Sequence, residues 1–486
     1  MFSVAPALCP TPAGRTKKPP TAVENAVETD FFLARYLRMS ARAGRVATTK
    51  QNDSRRRFLV QSGAVASTPW LPQIARAEEE ARSNMNIPVG AKLGDVHVLP
   101  ATPETTQWGW FDNAQPPVLK LRSGDHVAME TMMAVANQVL PGMTIEALTQ
   151  IRLAHPGRGP HTITGPIFVE DAEPGDTLKV HIERIVPRSY GANWNFPGEL
   201  GLGQFPDHFP IGQVRYFYFD LKRATTQFAP GITVPLRPFP GVIGVARAEP
   251  GRYSTVPPGP FGGNMDVREM IEGTTVYLPV FVEGALLWSG DSHAAQGNGE
   301  INLTAIETAF NELRLHIEVI KRKTLAWPRI ETPTHWLTVG YDRDLNKALE
   351  ILKTETKAFL AETQDLAPEK VDEWMATRFD CRISEVVNQV KGVFCTIPKR
   401  GVKPDRGIRP LKETSRYFVT SASSPDLQTA MNDAAFAMIE QIAERKGMSM
   451  LDAYSLTSLT MDTRLGDIAD TKKSVHCLVP KSLWTS

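Results

Sequence analysis

Residues Pro257 to Phe310 read PPGPFGGNMDVREMIEGTTVYLPVFVEGALLWSGDSHAAQGNGEINLTAIETAF, and the polar groups in this run fall at spacings that packing periodicity does not produce. The run opens with a loop, PPGPFGGNMD. Its glycines Gly259, Gly262 and Gly263 permit positive φ and close backbone approach, and it ends on the polar residues Asn264 and Asp266. The β-branched and aromatic residues from Thr274 to Trp288 then predict two short buried strands forming a hairpin. A second polar loop follows, Ser289 to Glu300, with Asp291, His293, Gln296, Asn298 and Glu300 set among small residues that leave room for a ligand. One such loop is an ordinary polar turn, whereas two of them flanking one buried hairpin point to a site.

Working outward, residues 87–250 form short apolar runs broken by Pro and Gly, the pattern of a β-sandwich or barrel. Alternation in LKVHIERIV sends Leu178, Val180 and Ile182 toward a core and leaves Lys179, His181 and Glu183 facing out. The Gly-, Pro- and aromatic-rich stretch Tyr190 to Pro210 reads as a long loop. It either crosses the surface or folds over the site, with Trp194 and Phe196 as the apolar wall of a small pocket.

Beyond Trp327 the period becomes helical, at Leu345, Ala348, Leu349 and Leu352 and again at Leu427, Ala430, Met431 and Ala434. The two segments are a gapless repeat with an offset of 82: Asp380 matches Asp462, Arg382 matches Arg464, Cys395 matches Cys477 and Lys399 matches Lys481. Each unit predicts a strand, a helix, a shorter helix and a closing strand. The expected fold is mainly β, with a sandwich or barrel core at 78–330. Two α+β units, 331–400 and 413–486, follow and pack about a pseudo-twofold axis. Duplicated Asp/Arg pairs more readily join such units as buried ion pairs than perform chemistry twice.

Residues 1–77 differ in kind. Ser54-Arg55-Arg56-Arg57-Phe58-Leu59 is a twin-arginine pattern, followed by an apolar stretch and a small-x-small cleavage signal, Ala75-Arg76-Ala77. We therefore expect initiation at Met39, a mature chain starting at Glu78, and export to the periplasm. This leader holds 12 Lys/Arg against 4 Asp/Glu, so the rest of a chain of net charge +1 is near −7, a balance with no basic footprint for nucleic acid. No apolar run reaches the ~20 residues of a membrane-spanning helix. Outside the leader stand Cys381, Cys395 and Cys477; three cysteines predict no disulfide framework, and the apolar settings of Cys395 and Cys477 predict buried thiols.

At GGNMD, LPVFVEGAL and GDSHAAQGNGE followed by TAIE, the sequence resembles the acetamidase/formamidase family of amide hydrolases. The segments WGWFDNAQPPVLKLRSGD (Trp108 to Asp125) and HTITGPIFVEDAEPGDTL (His161 to Leu178) agree, and the resemblance runs from about Trp108 to Lys399. It implies hydrolysis of a small linear carboxamide by a metal-dependent enzyme, with zinc the usual ion. No Ser-His-Asp order or nucleophile elbow competes with that chemistry. Carried onto this chain, the resemblance makes Asp291 and His293 the first metal ligands. Asp266 follows as a ligand or acid–base group, and His161 as a ligand or a core histidine. Glu300 becomes the proton carrier, while Asn264 and Gln296 contact the carboxamide beside Trp194. A homo-oligomer is expected. Two residues depart from the family pattern: Asn298 stands where Asp is common, and Gln107 where His is common. They leave open a redirected activity on a cyclic amide or imide, or a periplasmic small-molecule binder without catalysis.

Overall fold

The computed structural model describes residues 88–363, 368–402, 412–469 and 471–484. The leader, with its twin-arginine pattern and Met39, lies outside them. From residue 88 on, the described residues belong to one compact unit of mainly β architecture.

Two large sheets, of 13 and 11 strands, face each other across a shared apolar core. Leu178, Val180 and Ile182 of the strand Thr177–Pro187 enter that core from the larger sheet, as their alternation requires, and meet Val242, Ile243 and Leu287 of the smaller sheet. Sandwiches form this way because each sheet buries one apolar face against the other.

The run Thr274 to Trp288 departs from the expected hairpin. Thr275–Pro279 pairs with Thr177–Pro187 and Arg329–Glu331 in the larger sheet. Leu287–His293 pairs with Phe239–Val245, Thr162–Val169 and Glu307–Thr308 in the smaller one. The connection between them crosses from sheet to sheet, turning where Gly284 takes φ 73°. Ser289 to His293 is accordingly the end of a buried strand, not the start of a loop. Tyr190–Asn195, expected within a loop, is also a buried strand, paired with Gln213–Asp220.

The repeat units extend the larger sheet. Its strand order there is His335–Asp342, Lys391–Pro398, Asp380–Glu385, Asp462–Ala469, Lys472–Pro480, Tyr417–Ser424, which is symmetric about the point where Arg382 faces Arg464. Each unit contains one more strand than its sequence pattern predicts. The helices Leu345–Thr363 and Leu427–Lys446 cover one face and bury the apolar stripes read from the sequence. Asp426 caps the second helix by accepting from Thr429 N, and Gly447 ends it at φ 60°. The duplicated pairs interlock across the junction: Arg382 Nη2 bonds Asp380, Arg464 Nη2 bonds Asp462 at 2.7 Å, and Arg464 Nη1 crosses to Asp380 at 3.1 Å.

The cysteine expectation needs correction. Cys381 and Cys395 face each other directly across neighbouring strands, with Cα atoms 4.0 Å apart, and form a disulfide. Cys477, the repeat-related partner of Cys395, faces Thr463 and Thr420 instead and stays a buried free thiol. Register decides between them, and register is invisible in cysteine spacing alone.

Candidate active site

The strand Leu287–His293 runs fully buried through the smaller sheet and presents Asp291 and His293 at its end. On one side His293 faces Phe239, and on the other it faces Glu307. Asp266 follows the strand Gly262–Asn264, whose pairing with Phe239–Val245 holds it one strand away, with Met265 N bonded to Gly241 O at 3.0 Å. Glu300 enters from the turn after Gly299. Asp266, Asp291 and Glu300 all have left-handed backbones, with φ 48°, 50° and 48°. Non-glycine residues adopt this region at a cost, so three such acids around one point mark strain that the surrounding sheet holds in place.

The side chains converge. His293 Nε2 lies 3.3 Å from both Asp291 Oδ2 and Glu307 Oε1, and His293 Nδ1 lies 3.7 Å from Asp266 Oδ1. His161 Nε2 stands 3.7 Å from Asp291 Oδ2, while His161 Nδ1 lies 3.0 Å from Thr255 O. A carbonyl only accepts, so His161 Nδ1 carries a hydrogen. Beside the Asp291 carboxylate, Nε2 then calls for a proton of its own or for a cation between the two groups. Asn388, from the first repeat unit, donates to Asp266 Oδ2 at 2.6 Å and to Glu300 Oε2 at 3.2 Å.

Burial and crowding set the protonation. Burial, together with Asp291 and Glu307 nearby, pushes Asp266 up to about 8 against the pull of His293. Burial likewise raises Glu307 to about 7, and it raises Glu300 well above the carboxylate range with Asp266 adding to the effect. For Asp291, burial is outweighed by the imidazoles of His161 and His293, which bring it down to about 2. Burial works against the charge on His293 too, yet Glu307 and Asp291 hold it well above the usual imidazole value. Burial lowers His161. The ion pairs that Asp266, Asp291 and Glu307 make among the described residues are all to imidazoles.

These donors fit a divalent ion. Asp266, Asp291 and His293 bring one ligand atom each within 4.8 Å of one another, as do His293, Glu300 and Glu307. Asp266 Oδ1 and both His293 nitrogens are buried without a hydrogen-bond partner. A Cβ on Gly241 would lie 2.5 Å from Asp291 Oδ2, 2.7 Å from Asp266 Oδ1 and 2.7 Å from His293 Cε1, so glycine at 241 keeps the space between these side chains clear. Mixed imidazole and carboxylate sets suit zinc and its neighbours among the transition ions.

The cluster opens on a cavity of about 110 Å³ lined by His161, Asn264, Asp291, Glu300, Glu307 and Asn388, with Trp194 and Phe196 as apolar wall. Asn264 Oδ1, buried and without a partner, is available to accept from a ligand. Gln296 does not line this space; its Nε2 donates to Asp266 O at 3.4 Å, behind the acid. A larger cavity of about 730 Å³ lies elsewhere, among Glu269, Asp380, Arg382 and Arg464. It takes in none of the cluster residues, so the smaller cavity is the one beside the cluster.

Glu307, Asn388 and Gly241 were not singled out from the sequence. Glu307 lies in the quoted TAIE, which signals a resemblance but no role, and Asn388 arrives from a different unit with no local pattern to announce it. Asn298 turns away from the cluster. Its amide donates to Asp462 Oδ1 at 2.7 Å, on a carboxylate that also meets Arg268 at 3.1 Å. The departure at 298 thus belongs to the repeat's ion network.

The family model described as the Acetamidase/Formamidase family matches residues 100–250 and 246–485. The acetamidase of Mycolicibacterium smegmatis is 29% identical over 218 residues, 33% of this chain and 54% of its own. The formamidase of Methylophilus methylotrophus is 28% identical over 245 residues, 40% and 59%. The chain thus spans little more than half the length of these curated relatives. The crystal structure of an acetamidase from Bacillus halodurans superposes with a TM-score of 0.57 at 31% identity, covering 62% of this chain and 97% of that one. With a family model matched over most of its length and this architecture, the chain belongs to the acetamidase/formamidase family.

Proposed function

We propose that this protein hydrolyses a small linear carboxamide of the formamide or acetamide kind to the acid and ammonia, using a divalent ion, zinc being the first candidate. The observation that carries this reading is the clustering of Asp266, Asp291, His293, Glu300 and Glu307 beside one small cavity, which Asp291, Glu300 and Glu307 line. The names of the curated relatives support it. Asp266, Asp291 and His293 would hold the ion, with His161 completing the set through Nε2. When bound, such an ion polarises a carbonyl and lowers the pKa of water toward ~7. Glu300, kept protonated by burial, is placed to give a proton to the departing amine, and Glu307 to accept one. Asn388 fixes Glu300 and Asp266 relative to each other. Asn264 Oδ1 accepts from the substrate NH₂, and Trp194 with Phe196 limits the acyl group to a few atoms.

The reading includes export to the periplasm, supported by the twin-arginine pattern and by the Cys381–Cys395 disulfide, since disulfides persist in oxidising compartments. It also includes self-association, tested by light scattering. Among the described residues, no helix is long and apolar enough to cross a membrane. The deciding experiment combines elemental analysis with ammonia release from formamide, acetamide and propionamide. One divalent ion per chain, and turnover abolished by chelator and restored by metal, is the expected result. Failure of the metal-loaded protein to release ammonia from any linear amide overturns the proposal, and ring-opening of cyclic amides or binding without turnover would then replace it.

A further inference from the structure

We propose that His126, His316 and Glu183 form a second, partly exposed binding site for a borderline divalent transition ion such as Zn²⁺, Ni²⁺ or Cu²⁺, on the outer face of the larger sheet. The three residues come from three adjacent strands, Asp125–Met129, Phe310–Ile320 and Thr177–Pro187, with the histidine-bearing Phe310–Ile320 in the middle. His316 stands directly opposite His126 on one side and His181 on the other, so a row of three imidazoles crosses the sheet. Side chains directly opposed on one face of an antiparallel pair have Cβ atoms ~4.5–5.5 Å apart, within the span two imidazoles need to share one ion at ~2.0–2.1 Å each. The rings of His126 and His316 stack with centroids 4.4 Å apart.

A β-bulge supplies the third donor. Pairing between the strands jumps from Arg314 opposite Arg184 to Leu315 opposite Ile182, which leaves Glu183 as the extra residue. Bulges re-aim side chains. Here the Glu183 carboxylate reaches over the middle strand to within 3.0 Å of His126 Nδ1. One nitrogen of each imidazole and one Glu183 oxygen lie within 4.8 Å of one another. The side chains keep 35% (His126), 28% (Glu183) and 28% (His316) of their exposure, which leaves a path for an ion and room for water as the remaining ligand. Two imidazoles and one carboxylate are a donor set for Zn²⁺, Ni²⁺ or Cu²⁺, whereas Ca²⁺ and Mg²⁺ call for oxygen ligands. None of the three residues lines the cavity of the buried cluster. An ion held here would clip three neighbouring strands together.

The test uses the untagged mature protein, titrated with Cu²⁺ and followed by calorimetry and electron paramagnetic resonance. The expected result is one equivalent beyond the ion of the buried cluster, with nitrogen hyperfine structure from imidazole. It should disappear in His126→Ala and His316→Ala and weaken about tenfold or more in Glu183→Gln, while persisting in Asp266→Asn, which perturbs only the buried cluster. His316→Gln repeats the measurement if an alanine variant is unfolded by circular dichroism. Cu²⁺ affinity and spectrum unchanged in the folded His126/His316 double variant would overturn the proposal, as would the absence of any equivalent that Asp266→Asn leaves intact.

Discussion

Gly241→Ala probes the buried cluster without touching a ligand. Gly241 does not adopt positive φ, so alanine brings no backbone strain; what it adds is one methyl group among the ligands. That methyl would sit 2.5 to 2.7 Å from Asp291 Oδ2, Asp266 Oδ1 and His293 Cε1, where ordinary contact begins at 3.4 Å. Each neighbour must therefore yield by roughly 0.7 Å or more, whereas ligand distances at a working metal site hold to about 0.2 Å. The strand Phe239–Val245 cannot back away, because it is paired on both sides, with Gly262–Asn264 and with Leu287–His293. Overpacking of this kind costs about 1–3 kcal/mol, which leaves the fold intact. The expected variant is folded by circular dichroism, melts a few degrees lower, retains less than a tenth of the metal after dialysis, and loses a hundredfold or more in kcat/KM. Elemental analysis and ammonia release measure the last two. Full metal content and a rate within a factor of two of the unmodified protein would show that no ion occupies the space between Asp266, Asp291 and His293.

Three further outcomes follow from the geometry. Asn298→Asp, which restores the common family residue, faces a carboxylate onto Asp462 in a buried place; it should destabilise by about 3 kcal/mol in denaturant titration, and a variant that is equally stable and faster would place residue 298 in the chemistry instead. Protein stripped by chelator should lose stability from pH 5 to 8. Asp266 (about 8) and Glu307 (about 7) keep protons when folded that they shed when unfolded; raised Glu300 and His293 act with the same sign, lowered His161 alone opposes them, and the net is a loss of stability as pH rises. Metal should flatten that profile by displacing the protons, so parallel curves with and without metal would contradict the cluster's electrostatics. Cys381→Ser should cost about 3 kcal/mol, the loop-closure estimate for cysteines 14 residues apart, with dithiothreitol lowering the stability of the unmodified protein equally; no sensitivity to reductant would argue against the bond.

Much of the candidate site is legible along the chain, because small glycine-separated polar runs are local features. Asp266, Asp291, His293 and Glu300 stand in the two runs that the sequence singles out, and the structure places them together. Glu307 is harder to see, since an acid between Ile306 and Thr308 looks like any strand residue until pairing sets it against His293. Asn388 is harder still: it meets Asp266 from 122 residues away, out of a repeat whose sequence signal is helical packing. Gly241 shows its purpose only when its missing side chain is seen among Asp266, Asp291 and His293.

What the amino-acid order determined alone is periodic or covalent in origin: the inward faces of strands such as Thr177–Pro187, the apolar stripes of the two repeat helices, the 82-residue repetition and the backbone freedom of the glycine runs. Alternation states which face a residue takes but not which strand lies beside it. The crossing of Thr274 to Trp288 between sheets, the Cys381–Cys395 pairing, the turn of Asn298 toward Asp462 and the meeting of four acids around His293 were therefore decided in three dimensions. There, register and burial choose among partners that a one-dimensional pattern leaves equivalent.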